Sequence, residues 1–387
     1  MKLRYYIPTE TYFGCGELEV LGSCKLPGKK ALIVTSSGSS MTKYGYLDRV
    51  QKLLAKNGCE FVLFNQILPN PVKRHVMEGA ALARAQGCDF VLGLGGGSSI
   101  DSAKSIAVMA ANEGDYWDYI GSGSGKGLPV PNDPLPVVAI TTTAGTGTET
   151  DPWTVITKEE TNEKIGFGYD KTFPVLSIVD PELMVSVPAH LTAYQGFDAL
   201  FHSTEGYIAK CADIFSDLYA LKAIELIFKY LPVAVKEPEN LEARTMVAMA
   251  NTLSGMVEST SSCTSEHSLE HAISAYHPEV AHGAGLIMIS LAYYTHFAKH
   301  VPQKLLDMAK AAGVANPESP MDFVNALAKL QKDCGVDSLN MSDFGINPEE
   351  FDTLARNARE TMGGLFGVDP AELIHEDVVR IYQESYR

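Results

Sequence analysis

Residues 90–104 read FVLGLGGGSSIDSAK, and this stretch decides the fold of the N-terminal half. The apolar run at 90–94 predicts a buried strand, and a helix is expected from 99 to about 111. The glycines between them allow a sharp turn, and free N–H groups at the start of a helix attract an anion. The turn therefore predicts either a pyrophosphate site or a tight strand-to-helix connection without a ligand.

Short β-branched runs alternate with amphipathic stretches on both sides of this turn. Strands are predicted at 31–35, 60–64, 90–94 and 136–141. Helices are predicted at 47–56, 76–86 and 99–111. This alternation is typical of a parallel sheet with helices on both faces. A hydroxyl-rich loop, TTTAGTGT at 141–148, follows the last of these strands, where ligands bind in open α/β sheets.

The pattern changes near Asp180, beyond which apolar residues recur every three or four positions and strand signals vanish. Helices are predicted at 191–210, 215–231, 241–258 and 284–300. The sequence therefore predicts an α/β N-terminal domain with a parallel sheet, residues 1–184, followed by an all-α C-terminal domain, residues 185–387.

Composition restricts the class of protein and its partners. The 387 residues are 45% hydrophobic and 20% charged, as in ordinary globular proteins, and the net charge of -16 argues against nucleic acid or an anionic membrane surface. The seven scattered cysteines indicate reduced thiols in a cytoplasmic protein. The N-terminal MKLRYYIP lacks the apolar run of a signal peptide, and no uninterrupted apolar run predicts a membrane span.

Histidines cluster in the helical half, where five of the ten lie between 202 and 282. Asp198 and His202 are four residues apart, which places both on one helix face, and His267 and His271 have the same spacing. His282 follows at an expected helix start. One such pair is usually a structural pairing, but two pairs and His282 together indicate a site for iron, zinc or a related divalent ion. Spacing leaves open which histidines bind, and it would favour His267 with His271.

Together these features resemble the iron-containing alcohol dehydrogenase family, in particular its butanol- and lactaldehyde-type members. The matching stretches are PNP at 69–71, residues 95–104, TTAGTGTE at 142–149, VDP at 179–181, the segment with Asp198 and His202, and residues 267–283. They follow the family's order over most of the chain. The resemblance implies that the α/β domain binds a dinucleotide and that the active site lies between it and the helical domain.

The resemblance also implies roles for individual residues. The metal would be bound by Asp198, His202, His267 and His282. His271 would be a catalytic residue beside the substrate or nicotinamide, able to relay a proton. The pyrophosphate would lie on Gly96, Gly97 and Ser98. The other expected cofactor-binding residues are Ser36, Asn70, Asp101, Thr142, Thr143, Thr146, Lys164 and Leu183.

Three departures from the family pattern are visible. Many members carry an acidic residue for the adenosine ribose after the second-strand segment, whereas residues 36–40 here read SSGSS, so NADP(H) as well as NAD(H) is expected. The interval from His271 to His282 is one residue longer than in lactaldehyde-reducing members. Trp153 stands where those members have a small polar residue in the substrate pocket, which indicates a substrate of different shape.

The resulting hypothesis is a metal-dependent oxidoreductase that transfers a hydride between NAD(P)(H) and a small primary alcohol or aldehyde. Fe²⁺ or Zn²⁺ is expected as the metal, and a homodimer or larger homo-oligomer as the assembly. The alternatives are a zinc-dependent polyol enzyme resembling glycerol dehydrogenases and a non-catalytic protein that retains NAD(P) and metal. A lyase resembling dehydroquinate synthases is disfavoured, because Lys and Arg are sparse around the expected ligands.

Overall fold

The computed structural model describes residues 3–387, so Met1 and Lys2 of the N-terminal stretch lie outside it. The strands are β1 (Glu10–Phe13), β2 (Lys30–Ser36), β3 (Glu60–Ile67), β4 (Phe90–Gly95), β5 (Val137–Thr141), β6 (Thr154–Lys158), β7 (Glu163–Phe167) and β8 (Leu176–Val179). The helices are α1 (Ser40–Lys43), α2 (Tyr46–Lys56), α3 (Lys73–Gln86), α4 (Gly97–Ala111), α5 (Ala189–Ile208), α6 (Ile214–Lys236), α7 (Leu241–Thr260), α8 (Ser265–Tyr276), α9 (His282–Ala298), α10 (Pro302–Ala311), α11 (Met321–Asp333), α12 (Phe351–Gly367) and α13 (His375–Ser385).

Six strands form one parallel sheet in the order β1-β8-β5-β4-β2-β3, which confirms the predicted architecture. Every residue of β4 is buried, as expected for a central strand with both faces covered. Gly93 lets α4 pack closely on β4, because a Cβ at this position would lie 2.9 Å from the Cα of Ile100. The sequence missed the four-residue edge strand β1 and its neighbour β8, and it missed the separate antiparallel hairpin of β6 and β7.

Residues beyond Asp180 form helices, as predicted. Helix α5 is buried at every residue from Gly196 to Ile208, so its polar side chains must find partners inside the protein. Helix α8 carries His267 and His271, whose spacing predicted a shared helix face, although the bounds of this helix were not predicted. The proposed boundary between residues 184 and 185 stays a prediction.

The two halves enclose a cleft of about 360 Å³. The carboxyl ends of β4 and β5 and the start of α4 lie on one side of it, and helices α5, α7, α8 and α9 lie on the other. None of the helices in residues 3–387 is long and apolar enough to cross a membrane.

Candidate active site

Four side chains from three helices converge at the base of the cleft. Asp198 and His202 come from α5, His267 comes from α8, and His282 is the first residue of α9. The Nε2 atoms of His202, His267 and His282 lie 3.5, 3.6 and 3.3 Å from Oδ1 of Asp198. Ligands bound about 2.1 Å from a tetrahedral metal ion are roughly 3.4 Å apart. The cluster therefore has the dimensions of a four-coordinate metal site.

Two atoms of this cluster are buried without a hydrogen-bond partner, namely Oδ1 of Asp198 and Nε2 of His267. An unpaired buried polar atom costs about 1–3 kcal/mol. A cation bound between these atoms would remove that cost, so the chemistry of the cluster fits a divalent ion.

Each of the three histidines turns Nδ1 towards a carboxylate, which is fully buried for Glu205 and Glu270 and 11% exposed for Glu258. The pairs are His202 with Glu258, His267 with Glu205, and His282 with Glu270. The first pair is separated by 3.1 Å, and the other two are hydrogen-bonded. A carboxylate on Nδ1 orients the ring and leaves Nε2 free as a metal ligand. None of these three carboxylates was predicted from the sequence, although Glu205 and Glu270 lie in helices that also carry proposed ligands.

The electrostatics of the site differ among the four side chains. Burial lowers the pKa of His267 and His282, but nearby acidic groups such as Glu205 and Glu270 outweigh it and raise the pKa of both rings, so a metal ion must displace a proton from each. Burial lowers the pKa of His202 to about 3, so its imidazole is neutral and can donate a lone pair. Burial opposes ionisation of Asp198, but the charges and hydrogen bonds of the neighbouring histidines outweigh it and hold the pKa well below its ordinary value. Burial raises the pKa of the Cys263 thiol well above its ordinary value, so no thiolate competes as a ligand.

His271 lies beside the cluster but outside it. Its ring centroid is 5.4 Å from that of His282 and 6.2 Å from that of His267. The structure thus brings His282, rather than His271, to Asp198. His271 lines the cleft, and its Nδ1 is buried without a hydrogen-bond partner. Burial, together with the nearby Lys164, lowers the pKa of His271 well below its ordinary value, so the ring is neutral.

The glycine turn and the hydroxyl-rich loop contact each other at the start of α4. A Cβ on Gly96 would lie 3.0 Å from Cγ2 of Thr143, and one on Gly97 would lie 2.4 Å from Cγ2 of Thr146. The two loops thus form one surface, and a side chain at Gly97 would clash with Thr146 unless one of them moved. The expected cofactor residues that line the cleft are Asn70, Gly97, Ser98, Asp101, Thr146 and Lys164.

Some expected cofactor residues are already engaged within the protein. Both oxygens of Asp101 accept hydrogen bonds, one from the Thr148 hydroxyl at 2.7 Å and one from the Val155 amide at 2.9 Å. Burial raises the pKa of Asp101 to about 6. The side chain of Leu183 is fully buried in the core beneath the sheet. Ser36, Gly96, Thr142 and Thr143 lie at strand ends or in the loops without lining the cleft.

The wall of the cleft nearest the cluster contains Trp153, Glu258 and Cys263. The indole Nε1 of Trp153 donates to the carbonyl of Glu258 at 3.4 Å. The carbonyl of Trp153 accepts from Nζ of Lys104, a fully buried lysine, at 2.7 Å. The structure therefore places Trp153 where a pocket residue is expected, and it reveals Lys104 as its support.

Two family descriptions match almost the whole chain. The one for the iron-containing alcohol dehydrogenases matches residues 8–181, and the one for the C-terminal region of the Fe-containing alcohol dehydrogenase family matches residues 192–386. The chain belongs to the iron-containing alcohol dehydrogenase family. As predicted, it is an alcohol oxidoreductase that depends on a metal and a nicotinamide cofactor, and the polyol-enzyme and non-catalytic alternatives are not favoured.

Individual relatives resemble this alcohol dehydrogenase over nearly its full length. The 1,3-propanediol dehydrogenase of Klebsiella pneumoniae is 32% identical and aligns over 99% of this chain and 98% of its own. The choline dehydrogenase of Bacillus subtilis is 36% identical over 92% of this chain and 88% of its own. The crystal structure of an archaeal alcohol dehydrogenase from a Red Sea brine pool superposes with a TM-score of 0.94 at 34% identity, covering 100% of this chain and 99% of that one.

Proposed function

We propose that this alcohol dehydrogenase interconverts small primary alcohols and their aldehydes, with one divalent ion bound by Asp198, His202, His267 and His282. The observation that carries the proposal is the approach of three Nε2 atoms to within 3.3–3.6 Å of one buried carboxylate oxygen. Three imidazoles and one carboxylate suit Fe²⁺ and also Zn²⁺, and the family favours iron. The named relatives act on 1,3-propanediol and choline, which are both small primary alcohols.

The cofactor is proposed to lie across the glycine turn. The amides of Gly97 and Ser98 begin α4, so they present free N–H groups and the positive end of the helix dipole to the pyrophosphate. Thr146 and Asn70 line the same side of the cleft and supply further polar groups. Lys164 lines the cleft and is held by the Ser274 hydroxyl at 2.8 Å and by Glu270 at 3.5 Å, so its ammonium group would be available to contact the bound cofactor.

In the direction of oxidation, an alcohol and the oxidised cofactor react to give an aldehyde, the reduced cofactor and one proton. When bound, the metal supplies Lewis acidity at the substrate oxygen, and the nicotinamide exchanges the hydride. The chain's own contribution is the positioning of the reactants and proton transfer. His271 suits the last task, because its ring is neutral, borders the cleft and has an unpartnered Nδ1.

Further proposals concern cofactor choice and organisation. Ser36 at the end of β2 offers a hydroxyl where a carboxylate would repel a 2′-phosphate, which supports use of NADP(H) alongside NAD(H).

We also propose that residues 1–184 bind the dinucleotide and that residues 185–387 carry the metal. A cytoplasmic homodimer or larger homo-oligomer remains our hypothesis, and the seven free cysteines support a reducing compartment.

Alanine variants of the two histidines on α8 test the proposal. His267→Ala removes a proposed ligand, so purified protein reconstituted with Fe²⁺ should lose both bound metal and turnover of 1-butanol. His271→Ala is the matched control on the same helix face, and it should keep the metal while turnover falls. Metal is measured by elemental analysis and turnover by the absorbance of the reduced nicotinamide. A metal-free His267→Ala enzyme with unchanged activity would contradict the assignment.

A further inference from the structure

Helix α12 is kinked at Met362, whose φ of -125° and ψ of 32° are not helical. The kink is anchored on two other elements. Sδ of Met362 accepts from the Gly166 amide of β7 at 3.3 Å, and the Met362 carbonyl accepts from the Ser268 hydroxyl of α8 at 2.9 Å. Two glycines, at 363 and 364, follow directly, and a glycine pair is a known cause of kinks. The chain beyond the kink therefore leaves from a fixed point.

The segment after the kink runs beside the first turn of α8. Its start is bonded to Ser268, and at its other end the Asp369 carboxylate accepts from the amide and the hydroxyl of Ser265, both at 2.9 Å. His267 belongs to the same turn of α8, so Leu365, midway along the segment, lies near the level of this proposed metal ligand. The residues of this part of α12 that line the cleft are Thr361, Met362, Gly364 and Leu365.

The surface that the cleft offers next to this segment is apolar. Its apolar side chains are Trp153, Val155, Met362 and Leu365. The carboxylates that line the cleft already face partners within the protein, in the pairs Asp101 with Thr148, Asp151 with Lys104, and Glu258 with His202. Hydrocarbon is the chemistry that such a surface matches, because removing apolar area from water is favourable.

Gly364 is the exposed residue of this lining, and the cleft is open beside it. A Cβ built on Gly364 would have no atom within 4 Å. Gly363 has equally free space but is not among the residues that line the cleft. Neither glycine has a positive φ, so the backbone would accept a side chain at both positions. The size of residue 364, in contrast to that of residue 363, therefore controls the width of the cleft at this end.

We infer that Gly364 determines substrate specificity by leaving one end of the cleft open, so that the apolar tail of an alcohol passes Leu365 and extends beyond Gly364. The inference rests on the proposed function, because the hydroxyl at the other end of the substrate must reach the cluster of Asp198. The substrate class is a primary alcohol whose hydroxymethyl group ends an apolar chain, and whose far end can be bulky. Gly364 selects this tail and takes no part in the chemistry.

Two alcohols that differ only at the far end test the open end. 4-Phenyl-1-butanol has the carbon chain of 1-butanol and a terminal ring. We expect kcat/KM of the metal-reconstituted wild type with NAD⁺ to be at least as high for the phenyl alcohol, because its ring gains apolar contacts without meeting a wall. In Gly364→Leu the ratio of the two values should fall about tenfold or more, since the new side chain occupies the path of the ring. A wild-type ratio below one, or an unchanged ratio in Gly364→Leu, overturns the inference.

Gly363→Leu is the matched control. It adds the same side chain to the adjacent residue of the kinked helix, where there is equal space but no contact with the cleft, so the ratio should stay at the wild-type value. An equal fall of the ratio in Gly363→Leu would show a general disturbance of α12 and would overturn the inference. Loss of metal or of fold lowers both kcat/KM values and cancels in the ratio.

A binding measurement separates this inference from the proposed function. Butanamide and 4-phenylbutanamide carry the same two tails on a carbonyl group that does not exchange a hydride. Their Kd values are measured by titration calorimetry in the metal-loaded enzyme with NADH present. Weakening of 4-phenylbutanamide relative to butanamide by about tenfold in Gly364→Leu supports the inference even if no alcohol is oxidised, which would contradict the proposed function alone. An equal relative affinity in the wild type and Gly364→Leu overturns the inference.

Discussion

Buried charge is the main feature of this enzyme at the scale of single residues. Lys104 is fully buried, and its Nζ contacts the Thr148 hydroxyl at 2.7 Å and Asp151 at 3.1 Å. Replacing Lys104 by a neutral residue would leave the buried Asp151 carboxylate without a compensating charge, which would destabilise the folded protein. These contacts hold the wall that carries Trp153 against the helix that begins at the glycine turn. A single side chain thereby links the proposed cofactor side of the cleft to its proposed substrate side.

Ser36→Asp tests the choice of cofactor. A carboxylate at the end of β2 would repel a 2′-phosphate and bind ribose hydroxyls. We expect kcat/KM with NADPH to fall at least about tenfold relative to the value with NADH. Aldehyde reduction with each cofactor measures the ratio. Ser40→Asp in α1 is the control for the added charge, and a proportional loss with both cofactors in Ser36→Asp would contradict the prediction.

The pH dependence of the stability of Glu149→Gln tests whether the pKa of this buried carboxyl group is raised. Burial raises the pKa of Glu149 to about 7, and its Oε2 has no hydrogen-bond partner. Because the unfolded chain releases this proton near pH 4.5, the free energy of unfolding falls as pH rises towards 7, by up to about 1.4 kcal/mol per unit. The variant lacks this titrating group. The difference in free energy of unfolding between Glu149→Gln and the wild type should therefore shift in favour of the variant from about pH 5 to 7 and stay constant at higher pH.

Urea unfolding of both metal-loaded proteins across that pH range measures the difference. Glu60→Gln, with an exposed carboxylate, should keep a nearly constant difference from the wild type. A difference that is equally constant for Glu149→Gln would refute a raised pKa.

At the scale of elements, the hydroxyl-rich loop is fitted directly against α7. A Cβ on Gly255 of α7 would lie 2.1 Å from the carbonyl oxygen of Gly147 and 2.4 Å from Oγ1 of Thr150. Gly147 itself has φ +62°, a conformation that favours glycine. Asn251, one turn earlier on α7, accepts from the Gly147 amide at 2.8 Å. The helix and the loop are therefore mutually positioned by backbone contact.

Gly255→Ala should disturb this fit. The added methyl group forces the loop away, so we expect the free energy of unfolding to fall by about 1–3 kcal/mol and the KM for the cofactor to rise. The matched control is Gly363→Ala in α12, where no atom lies within 4 Å of the added carbon, and it should be neutral or slightly stabilising. Denaturant unfolding and steady-state kinetics provide the measurements. Equal stability of the two variants would show that the contact does not constrain the loop.

At the scale of the whole molecule, the four proposed metal ligands join helix α5 to helices α8 and α9, which follow it in the chain only after α6 and α7. A bound ion stabilises the folded state by about 2.7 kcal/mol when its free concentration is one hundred times Kd. Treatment with a chelator should therefore lower the Tm, and Fe²⁺ or Zn²⁺ should restore it. The Tm of His267→Ala should hardly respond to either treatment. A wild-type Tm that is unaffected by metal removal would argue against a structural link through the cluster.

Local patterns in the sequence predicted the four strands β2 to β5 of the sheet and the division of the chain into an α/β half and a helical half. Apolar periodicity predicted β2, β3, β4 and β5 and helices such as α5, because it reflects which face of each segment is buried. It missed β1 and β8, which are four residues long and too short to show a period. The glycine turn was also visible, since glycine is required where the chain turns sharply against another loop.

Tertiary structure alone decided how the site is assembled. Spacing favoured His271 as the partner of His267, because both lie on one face of a helix, and only packing of α9 against α5 and α8 brings His282 to Asp198. The same holds for Glu205, Glu258 and Glu270, whose positions behind the histidines depend on contacts between separate helices. Periodicity records which face of a segment is buried, whereas the partner of a buried polar group depends on long-range packing.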